Sequence, residues 1–230
     1  MKKTKKYEIQ GLKDSDDLDN YNSWFWDEVK LHAKNNILEI GSGLGRVSQY
    51  IVKDFDNVTL SDFSDEYIPI LKKKFPNNKV IQIDLTKCNI KNKYDCIICC
   101  NVIEHIENER LAILNLYRML RPGGILIIQV PACPFLYNEI DKSIYHYRRY
   151  TKKSLHTLLS ERFTIKKMDY FNLFGIPGWY VTGTILRRKT INEGSLHLFN
   201  RLLPMLKFID KKVFRNIIGV NVVAVCKKTK

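Results

Sequence analysis

Residues 36–48 read NILEIGSGLGRVS, an apolar run of strand length that leads into three alternating glycines. Gly41, Gly43 and Gly45 let the backbone turn sharply and let a ligand approach it closely. A helix that begins near Leu44 would point unpaired N–H groups and the positive end of its dipole at that ligand. A glycine turn that binds nothing is the alternative, because lone glycine patterns are common.

Polar residues end three further apolar runs of strand length. Asp62 ends VTLSD, about 20 residues after the glycines, where the second strand of a βαβ unit delivers a carboxylate to a ribose. Asp84 ends VIQID, and Asn101 follows YDCIICC. Because open α/β sheets bind ligands at the carboxyl ends of their strands, we expect these side chains to surround one site.

Four features make the chain resemble the class I S-adenosylmethionine-dependent methyltransferases. They are LEIGSGLGR at 38–46, the acidic strand ends Asp62 and Asp84, NVIEHI at 101–106 and LRPGGILII at 120–128. The resemblance spans about residues 36–130 and is closest to a branch that contains small-molecule and glycan-precursor enzymes. A nicotinamide-dependent dehydrogenase is the weaker alternative, because Arg46 stands where G-x-G-x-x-G has its third glycine.

The resemblance implies S-adenosylmethionine as the cofactor and a role for each strand end. Glu39 would meet the amino-acid end of the cofactor, Asp62 its ribose, and Asp84 with Leu85 its adenine. Asn101 and Val102 would form the floor beside the methyl group. The implied cofactor-binding residues are Glu39, Gly41, Gly43, Gly45, Asp62, Phe63, Asp84, Leu85, Asn101 and Val102.

The alternation of strands and helices predicts a mostly parallel sheet with helices on both faces. The resemblance implies a Rossmann-like α/β fold of seven strands with an antiparallel last strand at 219–226, paired with 163–171. We expect one domain, with a helical entry at 1–35, a core at 36–171, a helical insertion between strands six and seven at 172–218, and a last strand and tail at 219–230. Helices are predicted at 21–33, 44–54, 64–75 and 104–120, and strand five at 125–130.

The helix predicted at 21–33 carries Tyr21, Trp24, Phe25 and Val29 at helical spacing. One interpretation is a helix that packs on the sheet. The other is that Tyr21 or Trp24 closes over the cofactor, as N-terminal helices of the resembled family often do.

The segment after strand five reads PACPFLYNEID at 131–141 and SIYHYRRY at 143–150. It resembles the D-x-x-x-x-H-x-R-R-Y segment of methyltransferases often associated with saccharide and lipid-linked precursor pathways. His146 is the first candidate for a general base and His105 the second, because a histidine near neutral pKa can accept a proton from a hydroxyl. A structural, hydrogen-bonded histidine is the alternative for either.

The same segment supplies the predicted substrate-binding residues, Tyr145, Arg148 and Arg149. Adjacent guanidinium groups can form a fork for a phosphate or carboxylate. Pairing of the arginines with carboxylates of the same fold is the alternative.

The insertion interleaves basic with apolar residues, and the chain carries a formal net charge of +14. Such a pattern can lie on an anionic membrane surface, although a cap helix with a solvated basic face is the commoner case. The basic residues are Arg187, Arg188, Lys189, Arg201, Lys207, Lys211, Lys212 and Arg215, interleaved with Trp179, Leu186, Phe199, Leu202, Leu206, Phe208 and Phe214.

Several function classes are disfavoured. The six cysteines, at 88, 96, 99, 100, 133 and 226, are predicted to be reduced thiols, and neither a signal peptide nor an apolar run of spanning length is visible, so a cytoplasmic location is predicted. No metal is predicted, because the E-x-x-E-H segment that holds one in some quinone-pathway relatives here begins with Asn101. Nucleic acid is an unlikely substrate, because no N-P-P-Y-type motif follows strand four and Cys133-Pro134 reverses the usual order.

The sequence therefore predicts a methyltransferase that acts on oxygen, most readily on a saccharide or lipid-linked small-molecule precursor with an anionic group, by in-line methyl transfer. Peripheral contact with the inner membrane surface accompanies this prediction. The alternative is a catalytically silent cofactor-binding module that docks to a membrane or to a partner enzyme.

Overall fold

The structure is a computed structural model, and it describes residues 18–87, 93–190, 192–210 and 217–229. Its strands are β1 (Ile37–Ile40), β2 (Val58–Asp62), β3 (Lys79–Gln82), β4 (Tyr94–Cys100), β5 (Leu120–Pro131), β6 (Phe163–Phe171) and β7 (Asn221–Lys228). Its helices are α1 (Asp19–Val29), α2 (Ser48–Asp54), α3 (Tyr67–Lys74), α4 (Glu109–Met119), α5 (Glu139–Ser143), α6 (Lys152–Ser160), α7 (Gly175–Trp179) and α8 (Glu193–Ile209). Short 3₁₀ turns lie at Lys30–His32, Ile103–His105 and Pro134–Leu136, and a π-helix follows α7 at Tyr180–Ile185.

The seven strands form one sheet in the order β3-β2-β1-β4-β5-β7-β6. The first five pair in parallel, and β7 lies antiparallel to both of its neighbours, β5 and β6. The chain runs outward from β1 to β3 on one side and from β4 to β5 on the other, so the strand order reverses between β1 and β4. Ligands of doubly wound sheets bind at such a switch point, outside the carboxyl ends of the strands.

Helices cover both faces of the sheet, as the alternation of elements predicted. On β4, Cys96 and Ile98 face a core that includes α1, α2 and α3, whereas Ile97 and Cys99 face a second core that includes α4 and α6. A strand that is buried on both faces reads as a continuous apolar run, which explains the composition of 94–100. The predicted fold class is confirmed, and the five described cysteines are free thiols.

The start of α2 corrects a prediction. The helix begins at Ser48 and not near Leu44, because Gly45 has a φ of +74° and this left-handed conformation cannot continue a right-handed helix. The helix predicted at 64–75 likewise begins later, at Tyr67, which places Pro69 in its first turn, where no intrahelical N–H is needed.

Two other boundaries differ around the fourth crossover. The helix predicted at 104–120 is a 3₁₀ turn followed by α4, whose N-cap Asn108 accepts the Leu111 N–H. The strand predicted at 125–130 begins at Leu120, opposite Tyr94, and the register then shifts before Cys96 pairs with Ile125. The run Arg121-Pro122-Gly123-Gly124 therefore forms an irregularity within the strand span instead of separating a helix from a strand.

Within the insertion predicted at 172–218, residues 175–185 and 193–209 are helical, as predicted, and they pack at two places. Helix α8 lies on α1, where Asn20 Nδ2 donates to the Asn200 carbonyl at 3.0 Å and Lys207 Nζ lies 3.1 Å from Asp27 Oδ2. The π-helix lies on α5, where Asn138 Nδ2 donates to Thr184 Oγ1 at 3.3 Å. Outside the described residues lie several positions used in the sequence predictions: residues 1–17, Cys88, Lys211, Lys212, Phe214 and Arg215. Among the helices of the described ranges, none has the length and apolar character needed to cross a membrane.

Candidate active site

The glycine turn after β1 is closed by packing at two glycines and open at the third. Gly41, Gly43 and Gly45 all have positive φ values, +75°, +53° and +74°. A Cβ on Gly41 would lie 2.4 Å from a Val102 methyl carbon, and a Cβ on Gly45 would lie 2.4 Å from the Phe75 ring. A Cβ on Gly43 would meet nothing within 4 Å. The backbone at Gly43 is therefore the part of the turn that a ligand can approach closely.

Asp62, at the end of β2, joins that turn to the next strand. Its Oδ2 accepts the Gly43 N–H at 2.8 Å, and its Oδ1 accepts the Ser64 N–H at 2.9 Å. Burial raises the pKa of this carboxyl, and the backbone N–H groups of Ser64, Gly43 and Phe63 partly offset that rise. A carboxylate has about four acceptor positions, so it can accept a further hydrogen bond, for example from a sugar hydroxyl. Phe63 follows with 47% of its surface exposed, beside the carboxylate.

Glu39 lies within β1, and its carboxyl group binds side chains of the glycine turn and of the start of α2. Its Oε2 accepts hydrogen bonds from Ser42 Oγ, at 2.7 Å, and from Ser48 Oγ. Burial raises the pKa of this side chain to about 7, and the two serine hydroxyls oppose that rise. Sequence reasoning did not single out these two serines as partners of Glu39, and hydroxyls three and nine positions after the glutamate were the available signal.

The remaining predicted cofactor residues lie along the same strand ends. Asp84 follows β3, where its Oδ1 accepts hydrogen bonds from the Thr86 N–H at 2.8 Å and from Thr86 Oγ1 at 2.6 Å. Leu85 is buried, and its carbonyl accepts a bond from Asn115 at 2.6 Å. Asn101 is exposed after β4 with a φ of +53°, and Val102 fills the space left by Gly41.

A row of polar side chains continues from Asn101 toward α1. Asn221 Nδ2 lies 3.4 Å from Asn101 Oδ1, Tyr21 donates its hydroxyl to Asn221 Oδ1 at 3.0 Å, and Gln129 Nε2 donates to Tyr21 at 3.0 Å. The Gln129 Oε1 atom is buried without a partner among the described residues. Sequence reasoning missed Gln129 and Asn221, although each interrupts an apolar strand. Trp24, by contrast, is buried with its ring 4.1 Å from Phe171, so it packs on the sheet.

A second cluster, centred on His146, lies after β4 and β5. His146 Nδ1 is 2.8 Å from Asp141 Oδ1, and His146 Nε2 is 3.8 Å from Glu104 Oε1. The His105 and His146 rings are 4.6 Å apart between centroids. Because a carboxylate oxygen faces Nδ1, we assign the proton to Nδ1 and the lone pair to Nε2.

Asp141 holds this cluster in place. Arg149 Nε lies 2.9 Å from its Oδ1 and 3.0 Å from its Oδ2, and Trp179 Nε1 donates to Oδ2 at 3.3 Å. Burial by itself would raise the pKa of Asp141, but the His146 hydrogen bond and the Arg149 charge bring the pKa below its ordinary value. The same carboxylate accepts the Asn138 N–H at 3.1 Å and so completes the capping box of α5.

Glu104 and His105 face this cluster with polar atoms that lack partners. Both Glu104 carboxyl oxygens and His105 Nδ1 are buried without a hydrogen bond to any described residue. Burial raises the pKa of Glu104 to about 8, and burial is also the main reason why the pKa of His105 is lowered to about 4. Ligand atoms of Glu104, His105 and His146 lie within 4.8 Å of one another, a spacing at which a metal ion could be held. The sequence predicts no metal here, and this stays a prediction.

Arg148 and Arg149 both pair with carboxylates of the same fold, which was the alternative to binding an anionic substrate group. Arg148 lies 3.0 Å from Glu109 Oε2 and donates to the Ile106 and Glu107 carbonyls. Arg149 binds Asp141, donates to the Ala132 carbonyl at 3.0 Å and stacks over Trp179. Both guanidinium groups are therefore engaged with groups of the same fold, and their role in substrate binding stays a prediction. Tyr145 has 45% of its surface exposed at the same edge, with a φ of +61°.

The site at the switch point fits a nucleoside cofactor. The open backbone at Gly43, the Asp62 carboxylate with unused acceptor capacity and the exposed Phe63 ring offer surfaces for a ribose and a base. This fold and this site agree with the predicted class, the class I S-adenosylmethionine-dependent methyltransferases. The family model described as a methyltransferase domain matches residues 38–128, so the predicted class and its cofactor, S-adenosylmethionine, are confirmed for this part of the chain.

Known proteins resemble the chain to different extents. A protein of Rickettsia typhi named "Ubiquinone biosynthesis O-methyltransferase" is 34% identical over 110 residues, which cover 44% of this chain and 45% of that protein. A protein of the same name from Rickettsia canadensis is 27% identical over 138 residues, covering 53% of this chain and 58% of that protein. The match therefore spans about half the length of these relatives.

Solved structures share the fold. The N-methyltransferase NodS of Bradyrhizobium japonicum, in complex with S-adenosylhomocysteine, has a TM-score of 0.61 at 15% identity and covers 95% of this chain and 91% of its own. Phosphoethanolamine N-methyltransferase 2 of Haemonchus contortus has a TM-score of 0.62 at 14% identity, covering 91% of this chain and 53% of its own. At these identities the likeness concerns the fold alone.

Proposed function

We propose that the protein transfers a methyl group from S-adenosylmethionine to an oxygen atom of a small-molecule acceptor. The observation that carries this proposal is the Asp141–His146 pair, with 2.8 Å between Asp141 Oδ1 and His146 Nδ1, on the segment that follows β5. This segment leaves the sheet at the edge that also carries the glycine turn. The names of the Rickettsia relatives support oxygen as the methylated atom.

We also propose which residues bind the cofactor. S-adenosylmethionine, when bound, supplies a methyl group that is already activated, so the chain needs to bind it, orient the acceptor and remove a proton. Asp62 would accept the ribose hydroxyls while it keeps its bonds to Gly43 and Ser64. The other proposed cofactor contacts are Glu39, Gly43, Phe63, Asp84, Leu85, Asn101 and Val102, and Gly41 and Gly45 would contribute by shaping the turn.

His146 is proposed as the general base. Its Nε2 lone pair would accept the proton of the acceptor hydroxyl, and Asp141 would stabilise the imidazolium that forms. General base catalysis by a positioned histidine typically contributes about 10²–10⁴-fold in rate. His105 remains the second candidate, but a pKa of about 4 makes it the weaker base.

A saccharide or lipid-linked precursor is the finer proposal for the acceptor. It is supported by the resemblance of 141–150 to the D-x-x-x-x-H-x-R-R-Y segment and by exposed aromatic rings at this edge, Phe135, Tyr145 and Tyr147, with exposed fractions of 63%, 45% and 54%. Aromatic faces stack on sugar rings and on other planar rings. Because Arg148 and Arg149 are engaged within the fold, we do not assign them to an anionic group of the acceptor. A cytoplasmic location with peripheral membrane contact is part of this proposal.

A second candidate is a cofactor-binding module without turnover that docks to a membrane or a partner enzyme. Burial favours it, because the His146 side chain has only 6% of its surface exposed and Glu104 has none. An acceptor hydroxyl must reach Nε2 for His146 to act, so the two candidates differ in what His146 does.

The deciding experiment combines calorimetry with turnover. We expect S-adenosylhomocysteine to bind with micromolar affinity, NAD to show no binding, and Asp62→Ala to weaken the first. With an acceptor that is methylated, His146→Ala should lower kcat by about 10²–10⁴-fold at unchanged S-adenosylhomocysteine affinity. The exposed His156, on α6, provides a matched control as His156→Ala. Full turnover of His146→Ala with an unchanged pH profile would refute the base, and absence of turnover with any acceptor at intact affinity would favour the silent module.

A further inference from the structure

Helix α8 carries apolar side chains on both of its faces. Its inner face packs on the core through Leu203, which is 1% exposed, and Phe199. Its outer face presents Leu198, Leu202 and Met205, with exposed fractions of 58%, 44% and 60%. A helix on the surface of a water-soluble domain normally has a polar outer face. The apolar outer face of α8 is therefore a candidate interaction surface, for a lipid bilayer or for another protein.

The segment that precedes α8 also exposes large apolar side chains. Ile185 and Leu186, at the end of the π-helix, have exposed fractions of 61% and 51%. Of the 16 exposed large apolar side chains among the described residues, nine lie between residues 172 and 218. Scattered single exposed side chains need no explanation, whereas a concentration of this kind marks an interaction surface.

Charge indicates what covers this surface. Residues 180–209 contain five basic residues and one acidic residue, Glu193. Arg187, Arg188, Lys189 and Arg201 are exposed, and Lys207 is paired with Asp27. A second copy of the chain would bring like charges together, which disfavours self-association through this surface. An anionic lipid surface instead offers apolar depth for the side chains and negative charge for the arginines.

We propose that the insertion docks on an anionic lipid surface through two elements, the outer face of α8 and the segment 185–189. The apolar side chains would enter the boundary between headgroups and acyl chains, and the basic residues would lie among the headgroups. Each basic residue near such a surface strengthens binding by about 1 kcal/mol, which is roughly fivefold. The docking does not depend on methyl transfer.

Hydrogen bonds connect the docking segment to the site. Ser143 Oγ donates to the Lys189 carbonyl at 2.7 Å, and Asn138 Nδ2 donates to the Trp179 carbonyl and to Thr184 Oγ1, each at 3.3 Å. Asn138 and Ser143 flank Asp141 on α5. A docked insertion therefore holds the segment that carries His146 close to the lipid surface, where a lipid-linked acceptor would be found.

The test is cosedimentation of the purified full chain with phosphatidylglycerol-containing vesicles and with pure phosphatidylcholine vesicles at about 0.15 M salt. Two double variants probe the elements, Leu202→Asp with Met205→Asp, and Arg187→Glu with Arg188→Glu. Exposed residues of α3 supply the matched controls, Ile70→Asp for the apolar change and Lys72→Glu with Lys73→Glu for the charge change. Calorimetry with S-adenosylhomocysteine confirms that each variant is folded.

We expect the wild type to pellet with the anionic vesicles and to stay in the supernatant with the neutral ones. Each docking variant should bind the anionic vesicles at least tenfold more weakly, and the α3 controls should bind as the wild type does. The proposal is overturned if the wild type stays in the supernatant throughout, if it pellets equally with both vesicles, or if the docking variants pellet normally. Self-association that the α8 variant abolishes without lipid would assign this face to a second copy. Since no turnover is measured, failure of methyl transfer and failure of docking are separate results.

Discussion

Two glycines of the turn after β1 differ in surroundings although both have positive φ values, so replacing each one separates folding from cofactor binding. In Gly45→Ala the new methyl group would lie 2.4 Å from the Phe75 ring. We expect a loss of about 1–3 kcal/mol in the free energy of unfolding from overpacking, with strain of the left-handed backbone added. In Gly43→Ala only that strain, about 1–2 kcal/mol, should appear in stability, because the methyl group enters open space.

The two variants should rank in the opposite order when the affinity for S-adenosylhomocysteine is measured, with Gly43→Ala the more impaired. The Gly43→Ala methyl group occupies the space that we assign to the cofactor, so S-adenosylhomocysteine affinity should fall at least tenfold in calorimetry. Gly45→Ala, measured where it is still folded, should bind more nearly as the wild type does. Equal affinity of Gly43→Ala and wild type would contradict the placement of the cofactor over this turn.

The buried carboxyl of Glu104 predicts a pH dependence of stability. Burial raises its pKa from 4.5 to about 8, so the folded chain binds this proton more tightly than the unfolded chain. The contribution to stability is complete below pH 4.5 and is lost as the pH rises toward 8. In urea unfolding, the free energy of unfolding of Glu104→Gln should rise relative to that of the wild type by about 1 kcal/mol per pH unit between pH 4.5 and 8. A constant difference would contradict it, and the exposed Glu107→Gln serves as the control.

A chelator tests the absence of a metal at the same cluster. Because Asn101 replaces the first carboxylate of E-x-x-E-H, we expect EDTA to leave turnover unchanged. Loss of turnover that a divalent cation restores would instead make His146, Glu104 and His105 a ligand set.

At the residue scale, local spacing predicted Asp62 and the glycines, because a strand, a turn and a second strand bring them together within about 25 residues of chain. The partners of Arg149 could not be predicted in the same way. Whether it binds an outside anion or Asp141 depends on the path of the segment 131–150, and two candidate interactions were equally compatible with the sequence. Gln129 and Asn221 both bind the Tyr21 hydroxyl, and the pairing of β5 with β7 brings them near each other across about 90 residues of chain.

At the scale of elements, α5 is a short helix whose capping box joins the insertion to the base. Asn138 caps α5 through the Ile140 N–H at 3.0 Å, and Asp141, in the same box, binds His146. We expect Asn138→Ala to lower the free energy of unfolding by about 1–2 kcal/mol through the lost cap and the lost bonds to the insertion. It should also lower kcat, because Asp141 loses its fixed position.

Thr151→Ala is the matched control for that cap. Thr151 forms the capping box of α6 with Ser154, away from the hydrogen bonds that hold His146, so its loss should cost about 1 kcal/mol and leave kcat near the wild-type value. If the two variants lower kcat equally, the effect of Asn138 is a general loss of stability and the positioning role is wrong.

The bounds of several elements followed from the sequence and others did not. Strand β6 is the predicted 163–171, because turn and helix signals bracket it on both sides. The start of α2 depends on the left-handed conformation of Gly45, which the packing of Phe75 against that glycine selects. The π-helix at Tyr180–Ile185 depends on its fit to α5, where a Cβ on Gly183 would lie 2.2 Å from Asn138 Oδ1. Such tertiary contacts override local propensity.

At the scale of the whole molecule, cofactor binding should raise the melting temperature. A ligand at 100 times its Kd stabilises the folded state by about 2.7 kcal/mol, and a domain of this size gains about 2–4 °C per kcal/mol. We therefore expect S-adenosylhomocysteine to raise Tm by about 5–11 °C in a thermal shift assay, with no change from NAD and a smaller shift in Asp62→Ala. An unchanged Tm in the presence of saturating S-adenosylhomocysteine would argue against the cofactor assignment.

The parallel part of the sheet was predictable from the alternation of strands and helices, and the antiparallel last strand was predicted from the resemblance. Repeated strand–helix units and right-handed crossovers leave few arrangements for β1 to β5. The formal net charge of +14 was visible from composition, but its role depends on which helix faces lie outward, and this depends on how α8 packs against α1. The spacing of apolar residues along α8 does not by itself show which of its two apolar faces packs on the core and which lies outward.

The place of β7 between β5 and β6 has a consequence for synthesis on the ribosome. β5 and β6 are translated first, and until residues 221–228 emerge each lacks its hydrogen-bonded neighbour on one side. Unpaired strand edges in partly made chains recruit other chains, so a nascent polypeptide paused within the insertion is vulnerable to aggregation. Rapid translation of residues 172–220, or cover by a ribosome-bound chaperone, should therefore raise the yield of native protein.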